Sequence, residues 1–317
     1  MRIVVTGALG HIGSLLVHRA PVVLPGAELL LVDNLSAQRY CSLFRLPSGV
    51  PYGFCEADIL DADLEELVSG ATAVVHLAAI TDAASSFDRA EEVERVNYVG
   101  TERVARACAS AGVPLFFPSS TSVYGSQSER VDEACPEEEL RPQSPYAEAK
   151  LRSERLLRAL GQEEGLRYVV ARFGTVFGPS PGMRFHTAVN RFIWQACTGQ
   201  PITVWRTALD QRRPYLAVED AVHAIAFAVR QGLFPNLIYN VVTVNATVRK
   251  VVDLIRERIP ALQVQLTDAR IMNQLSYEVA ADRIAAAGFR PTGNLRDGIH
   301  RTIDLLEPLV REPACAA

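Results

Sequence analysis

Tyr146 and Lys150 stand four residues apart in Ser144-Pro145-Tyr146-Ala147-Glu148-Ala149-Lys150. On a helix such residues share a face. A phenol titrates near 10, so it acts as a base around neutrality only with help. An ammonium within about 4–6 Å gives that help by favouring the phenolate. The chemistry suggested is removal of a proton from a hydroxyl. A second constellation opens the chain, where Thr6-Gly7-Ala8-Leu9-Gly10-His11-Ile12-Gly13 follows the apolar run Ile3-Val4-Val5. The spacing is G-x-x-G-x-x-G, not G-x-G-x-x-G, because Ala8 and Leu9 separate the first two glycines. The physics is shared: a strand ends, backbone N–H groups come close to a phosphate, and a helix N-terminus faces the anion. Glycines in a tight turn can serve the turn alone, but the place between strand and helix favours a dinucleotide. Asp33 ends the next apolar run. A carboxylate about 20 residues beyond such glycines suits a ribose diol and repels a 2′-phosphate, which favours NAD over NADP. The same group could instead cap a loop. Asp58 could reach an adenine or act as an ordinary N-cap.

Alternating elements must position these groups. Ile3-Val4-Val5 reads as a buried parallel strand. A helix is expected from about Ile12, stopping before Pro21. Further strands are expected at Glu28 to Val32, Gly53 to Glu56, Ala73 to Leu77, Leu115 to Phe117 and Tyr168 to Ala171. One long helix is expected from Glu91 to Ser110, ending at Gly112, and another from Tyr146 to Leu160. Such alternation implies right-handed crossovers and a doubly wound parallel sheet. After Arg172 the pattern loosens into a smaller lobe. It holds a loop at Gly178-Pro179-Ser180-Pro181-Gly182, helices near Thr187–Cys197, Val218–Val229 and Val248–Arg258, and strands at Ile202 to Val204 and Leu237 to Val241. The expected division is a dinucleotide-binding domain over 1–171, with about 217–241 returning to it, and a lobe over most of 172–317.

Bulk composition narrows the function classes. The 317 residues are 49% hydrophobic and 21% charged, enough for a sizeable core. A net charge of −4 gives no electrostatic reason to expect nucleic acid or an anionic membrane. No apolar run approaches the roughly 18 residues of a span. The first residues enter a strand and turn at once, so no signal peptide is expected. Cys41, Cys55, Cys108, Cys135, Cys197 and Cys315 are scattered, without CxxC or a His/Cys cluster. Reduced thiols in a cytoplasmic protein, with no metal, are the expectation. His18, His76 and His223 have no partners in sequence and read as structural.

Six motifs in order carry a resemblance: the glycine turn, Val32-Asp33-Asn34-Leu35-Ser36, His76-Leu77-Ala78-Ala79, Asn97-Tyr98-Val99-Gly100-Thr101, Ser119-Ser120-Thr121-Ser122-Val123-Tyr124-Gly125, and Tyr146-Ala147-Glu148-Ala149-Lys150. The chain resembles the extended short-chain dehydrogenases/reductases, and within them the NAD-dependent nucleotide-sugar epimerases and dehydratases, UDP-glucose (UDP-galactose) 4-epimerases included. The resemblance implies a Rossmann-type α/β fold with a C-terminal substrate-binding lobe, and a homodimer paired through the helices near Glu91–Ser110 and Tyr146–Leu160. It implies Ser120, Tyr146 and Lys150 as the catalytic set, with Thr121 the fallback for Ser120. Gly7, Gly10, His11, Ile12, Gly13, Asp33, Asn34, Asp58, Ile59, Leu77, Ala78, Ala79, Asn97 and Phe173 are implied at the cofactor together with Tyr146 and Lys150; Asn97 by its residue type also suits a helix cap. Thr81, Ser120, Thr121, Tyr146, Thr175 and Arg213 are implied at a nucleotide-diphosphate sugar, Arg213 as the diphosphate clamp.

Related 4,6-dehydratases and decarboxylases place acidic residues directly after the active-site Ser/Thr, and 3,5-epimerases a cysteine near there. Here Thr121 and Ser122 stand in those positions. The expected reaction is therefore 4-epimerisation through a transient 4-keto sugar, with NAD regenerated in place. The alternatives are a dehydratase, reductase or dehydrogenase of the same family, or a non-catalytic NAD-binding sensor or scaffold. Three departures leave the sugar open. Thr175 replaces the family's usual asparagine, Arg213-Pro214-Tyr215 replaces R-D-Y, and a second diphosphate arginine is matched by Arg270 only as a candidate. Segment Met183–Asn190 is expected to line the sugar pocket.

Overall fold

The computed structural model describes residues 1–125, 130–268 and 277–309. Strands β1 (Arg2–Thr6), β2 (Glu28–Asp33), β3 (Tyr52–Glu56), β4 (Ala73–His76) and β5 (Leu115–Ser120) come first. Next are β6 (Arg130–Val131), β7 (Tyr168–Phe173), β8 (Thr175–Phe177), β9 (Ile202–Trp205) and β10 (Arg212–Ala217). The last are β11 (Leu237–Val241), β12 (Val244–Thr247), β13 (Val264–Thr267) and β14 (Glu278–Val279). Seven strands form one parallel sheet in the order β11-β7-β5-β4-β1-β2-β3. Its order reverses between β1 and β4, and ligands of such sheets bind outside the strand carboxyl ends at that point.

Period-2 alternation sends successive strand residues to opposite faces, and both faces are buried. Ile3, Val5, Leu29 and Leu31 pack on one side with the helices His11–Val23 and Val218–Gln231. Val4, Val74, Leu115 and Phe117 pack on the other with Gly100–Ala111 and Pro145–Glu163. A separate core joins the helices Ala188–Cys197, Val248–Arg256 and Leu295–Leu306 over β9 and β10. β10 pairs antiparallel with β12 and parallel with β8, while β11 sits at the edge of the main sheet.

Two helices differ from expectation. The first runs through Pro21 to Val23. Proline removes the N–H that would meet the carbonyl four residues back, and the Tyr52 hydroxyl donates to that carbonyl, Val17 O, at 3.4 Å. The Glu91–Ser110 helix is interrupted: Ala90–Val93 is α, Glu94–Val99 is π, and Gly100–Ala111 is α again before Gly112 ends it at φ 65°. Asn97 lies inside the π segment, so it is not a cap. π-turns often mark functional sites. The five described cysteines are free thiols. Among the described residues no helix is long and apolar enough to cross a membrane, and no cluster of His, Cys, Asp or Glu could hold a metal. Arg270 and Cys315 lie outside the described residues.

Candidate active site

The glycine turn follows β1 at the reversal point. Gly7 has φ +65°, and a Cβ there would sit 2.5 Å from Ala78 N, so the turn and the chain leaving β4 touch only because Gly7 lacks a side chain. At Gly13 a Cβ would come within 2.7 Å of Gly7 O, so that glycine serves the close approach of helix to turn. Gly10 is the N-cap of His11–Val23 and brings no side chain to the first N–H groups. Those donors and the positive end of the helix suit a diphosphate. This bare helix start beside the end of β2 fits a dinucleotide.

Asp33 carries out the loop-capping role as well: its carboxylate accepts from Leu9 N and from Leu35 N, both at 3.0 Å. It thereby ties the end of β2 to the glycine turn. Asn34 donates to Asp58 at 2.9 Å, and Asp58 accepts from Leu60 N at 2.9 Å. Ile59 turns its side chain inward, where a Cβ on Gly100 would meet it. Only its backbone remains for an adenine. Leu77 N donates to Thr6 O at 2.9 Å, and Ala78 N to Thr6 Oγ1 at 3.4 Å. Beyond Ala79, both amide functions of Asn97 are spent on Ile80, Oδ1 accepting from its N–H and Nδ2 donating to its carbonyl, each at 2.8 Å. Asn97 thus holds the loop that follows β4. His76 is structural: its ring joins Thr6 Oγ1 at 2.7 Å and Thr101 Oγ1 at 3.1 Å, and burial lowers its pKa to about 3. His18 likewise meets Ser42 O at 3.0 Å.

The chemical end is built by β5 and the helix Pro145–Glu163. Ser144 caps that helix, accepting from Ala147 N at 3.2 Å, and Pro145 pre-sets its first turn. This puts Tyr146 at the helix start and Lys150 one turn along. The hydroxyl of Ser120, the last residue of β5, acts on the Tyr146 phenol and favours its ionised form. Its Oγ also accepts from Ser122 N at 3.1 Å and from Ser122 Oγ at 2.8 Å. Thr121, the fallback, is buried, with its carbonyl accepting from the Tyr277 hydroxyl at 2.8 Å. Burial pushes the Tyr146 phenol up to about 12, opposed by the Ser120 hydroxyl and the charge of Arg184.

Lys150 is anchored on β5. Its ammonium donates to Pro118 O at 2.8 Å and lies 4.5 Å above the Phe117 ring. Burial lowers Lys150 to about 7, with Glu154 opposing. Glu154 is itself buried, bonded to Ser119 Oγ and paired with Arg172 at 2.6 Å. A shared helix face puts the two side chains on one side of the helix; it does not decide which oxygen the ammonium finds.

The structure adds residues that sequence reasoning left uninterpreted. Segment 180–184 lies over the glycine turn. Gly182 N donates to Ser14 Oγ at 2.8 Å, and a Cβ on Gly182 would run into Leu9 O and Gly10 O. Arg39 donates to Gly182 O at 3.0 Å. Arg184 follows, donating to Thr81 Oγ1 at 2.6 Å, with His186 Nε2 3.5 Å from the same hydroxyl. His11 turns its ring to Gly178 O at 2.9 Å, and burial lowers it to about 4. The start of Met183–Asn190 thus borders the glycine turn, and the charge of Arg184 acts on Tyr146. An arginine between Met183 and Phe185 after a Gly/Pro loop was the available signal.

Of the residues implied at the substrate, Thr81 joins this group, and Thr175 begins β8 opposite Tyr215. Arg213, on β10, donates to Gln211 Oε1 at 3.1 Å and shares the field of Tyr277, the residue that holds Thr121. Phe173 pairs in register with Ser120, but its ring is buried against Phe116, 6.2 Å between centroids, so it belongs to the sheet core.

Comparison with known proteins gives the family. A model of the NAD dependent epimerase/dehydratase family matches residues 3–241. An uncharacterised UDP-glucose epimerase of Bacillus subtilis is 31% identical over 272 residues, covering 81% of this chain and 82% of that protein. The crystal structure of Thermus thermophilus UDP-glucose 4-epimerase in complex with NAD superposes with a TM-score of 0.82 at 30% identity, covering 97% of this chain and 99% of that one. A trifunctional UDP-glucose 4,6-dehydratase/UDP-4-keto-6-deoxy-D-glucose 3,5-epimerase/UDP-4-keto-L-rhamnose-reductase of Arabidopsis thaliana is 28% identical across 95% of this chain; the chain spans 46% of its length. With three quarters of its length under the family model and this site at the strand ends, the chain belongs to the NAD dependent epimerase/dehydratase family.

Proposed function

We propose that this chain is an NAD-dependent epimerase of a nucleotide-diphosphate sugar, inverting C4 through a 4-keto sugar. The observation that carries the reading is the end of β5, where Ser120 meets Tyr146 and the next residues, Thr121 and Ser122, hold neither carboxylate nor thiol. Bound NAD supplies the hydride acceptor and a positively charged ring that favours the phenolate. Tyr146 takes the proton of the sugar hydroxyl, and Ser120 orients the reacting oxygen through its hydrogen bond. Lys150, fixed on Pro118 O, has the role of holding the nicotinamide ribose in this proposal. Holding the hydroxyl against the phenol in a fixed pose lowers the barrier by proximity. Without a further acid or base after Ser120, the keto sugar has one simple outcome: it turns and is reduced on its other face, and Tyr146 returns the proton. Arg213 is the candidate clamp for the substrate diphosphate, since its planar donors match phosphate oxygens.

A 4,6-dehydratase is the second reading, favoured by the name of the Arabidopsis relative. Incubation with UDP-glucose, UDP-N-acetylglucosamine and GDP-mannose, without added cofactor, separates the two. The C4 epimer of one of them is expected. A 4-keto-6-deoxy sugar would support the dehydratase and contradict the proposal.

A further inference from the structure

Arg184 is a cation set beside the glycine turn with no carboxylate in ion-pair contact among the described residues. Its guanidinium donates to the neutral Thr81 hydroxyl. Its Nη2 lies 3.8 Å from the point where a Cβ on Gly10 would be, against the turn that begins the first helix. Asp33 at the end of β2, Tyr146 and Asp82 all act on its charge, as does the like charge of Arg39. Its backbone is fixed as well, since its carbonyl accepts from Asn190 Nδ2 at 2.9 Å, and Gly182 two residues earlier is packed on Leu9 O and Gly10 O. A half-buried guanidinium facing the positive end of a helix, with another arginine nearby, is unfavourable on its own. An anion with two or more charges reverses that balance.

We propose that Arg184 binds the diphosphate of the cofactor, and that the segment Ser180–Arg184 is the clasp that carries it over the glycine turn. The inference rests on the reading of that turn as the NAD site, not on the reaction at C4. Two diphosphates visit such a site, the cofactor's and the nucleotide sugar's. The place of its Nη2 beside Gly10 and the field of Asp33 assign Arg184 to the first. Arginine suits the task because its fork reaches two phosphate oxygens while still donating to Thr81.

The test uses the full chain stripped of nucleotide, with NAD, ADP-ribose, AMP and UDP titrated calorimetrically into wild type, Arg184→Gln and Arg184→Lys. A charge-assisted hydrogen bond contributes about 1.5–3 kcal/mol, so Arg184→Gln should weaken NAD and ADP-ribose by roughly 10- to 150-fold. AMP, which lacks the diphosphate, and UDP should change less than about threefold, and Arg184→Lys should recover part of the loss. The stripped Arg184→Gln protein should melt no lower than wild type, because an uncompensated charge has been removed. Unchanged NAD affinity would overturn the assignment. So would a loss confined to UDP, an equal loss for AMP, or a melting temperature of the stripped variant that falls with the affinity. Because binding is read without turnover, failure of the C4 reading would leave this result standing.

Discussion

At the scale of single residues, the decisive fact is that Tyr146 and Lys150 have different immediate partners. Tyr146 is acted on by Ser120 and Arg184, whereas Lys150 is held by Pro118 O and the Phe117 ring. The types and spacing were legible, because capping by Ser144 and Pro145 forces both onto one helix. The direction of the ammonium was not, because it depends on a carbonyl of β5 that sequence spacing does not locate. Composition held another clue. The chain contains two lysines, Lys150 and Lys250, among 32 basic residues, so a buried lysine at 150 stands out where arginine is otherwise used. Arginine cannot be deprotonated in a protein, whereas a buried lysine shifts readily. Tyr146→Phe removes the proton acceptor while keeping the ring. It should lower turnover by roughly 10²- to 10⁴-fold and leave NAD affinity within about twofold of wild type. Steady-state rates and NAD titration of that variant check this; unchanged turnover contradicts the assignment of the base.

At the scale of elements, the strand ends were legible because buried parallel strands read as apolar runs closed by functional residues. Thr6, Asp33 and Ser120 all fall on such ends. The interior of the Glu91–Ser110 helix was not, since a π-turn changes which N–H meets which carbonyl without changing composition. Its result is that Asn97 faces the loop after β4 and occupies both backbone groups of Ile80. The clasp at 180–184 was hidden for another reason: it closes on Leu9 and Ser14 from more than 160 residues away. Asn97→Ala leaves the Ile80 N–H and carbonyl without these partners. Urea unfolding should show a loss of about 1–3 kcal/mol, with weaker NAD binding because the Leu77–Thr81 border of the cleft loosens. A change within about 0.5 kcal/mol would mean that water replaces the amide without cost.

At the scale of the molecule, the reversal of strand order between β1 and β4 gathers residues from across the chain into one cleft. The doubly wound sheet was legible from strand–helix alternation. The separate core of Ala188–Cys197, Val248–Arg256 and Leu295–Leu306 was less so, because its pairings are irregular and long-range. Burying the cleft's histidines as neutral rings has a global consequence. His76 and His11 ionise near 3 and 4 in the folded chain, against 6.5 in an unfolded one. The unfolded chain therefore takes up protons first as pH falls, so their contribution is complete above 6.5 and is lost on descent toward about 4 and 3. His76→Gln should be less stable at pH 7, through lost hydrogen bonds, yet lose stability less steeply between pH 6.5 and 4. Urea unfolding across that range checks it, and a slope equal to that of wild type would show that His76 is not the group responsible. The central claim concerns what the assembled cleft does to a sugar, and NMR of the products formed from nucleotide hexoses, with the chain's own cofactor, tests it most directly. The account predicts inversion at C4 with C6 intact and no net NADH; a 4-keto-6-deoxy product, or stoichiometric NADH release, would contradict it.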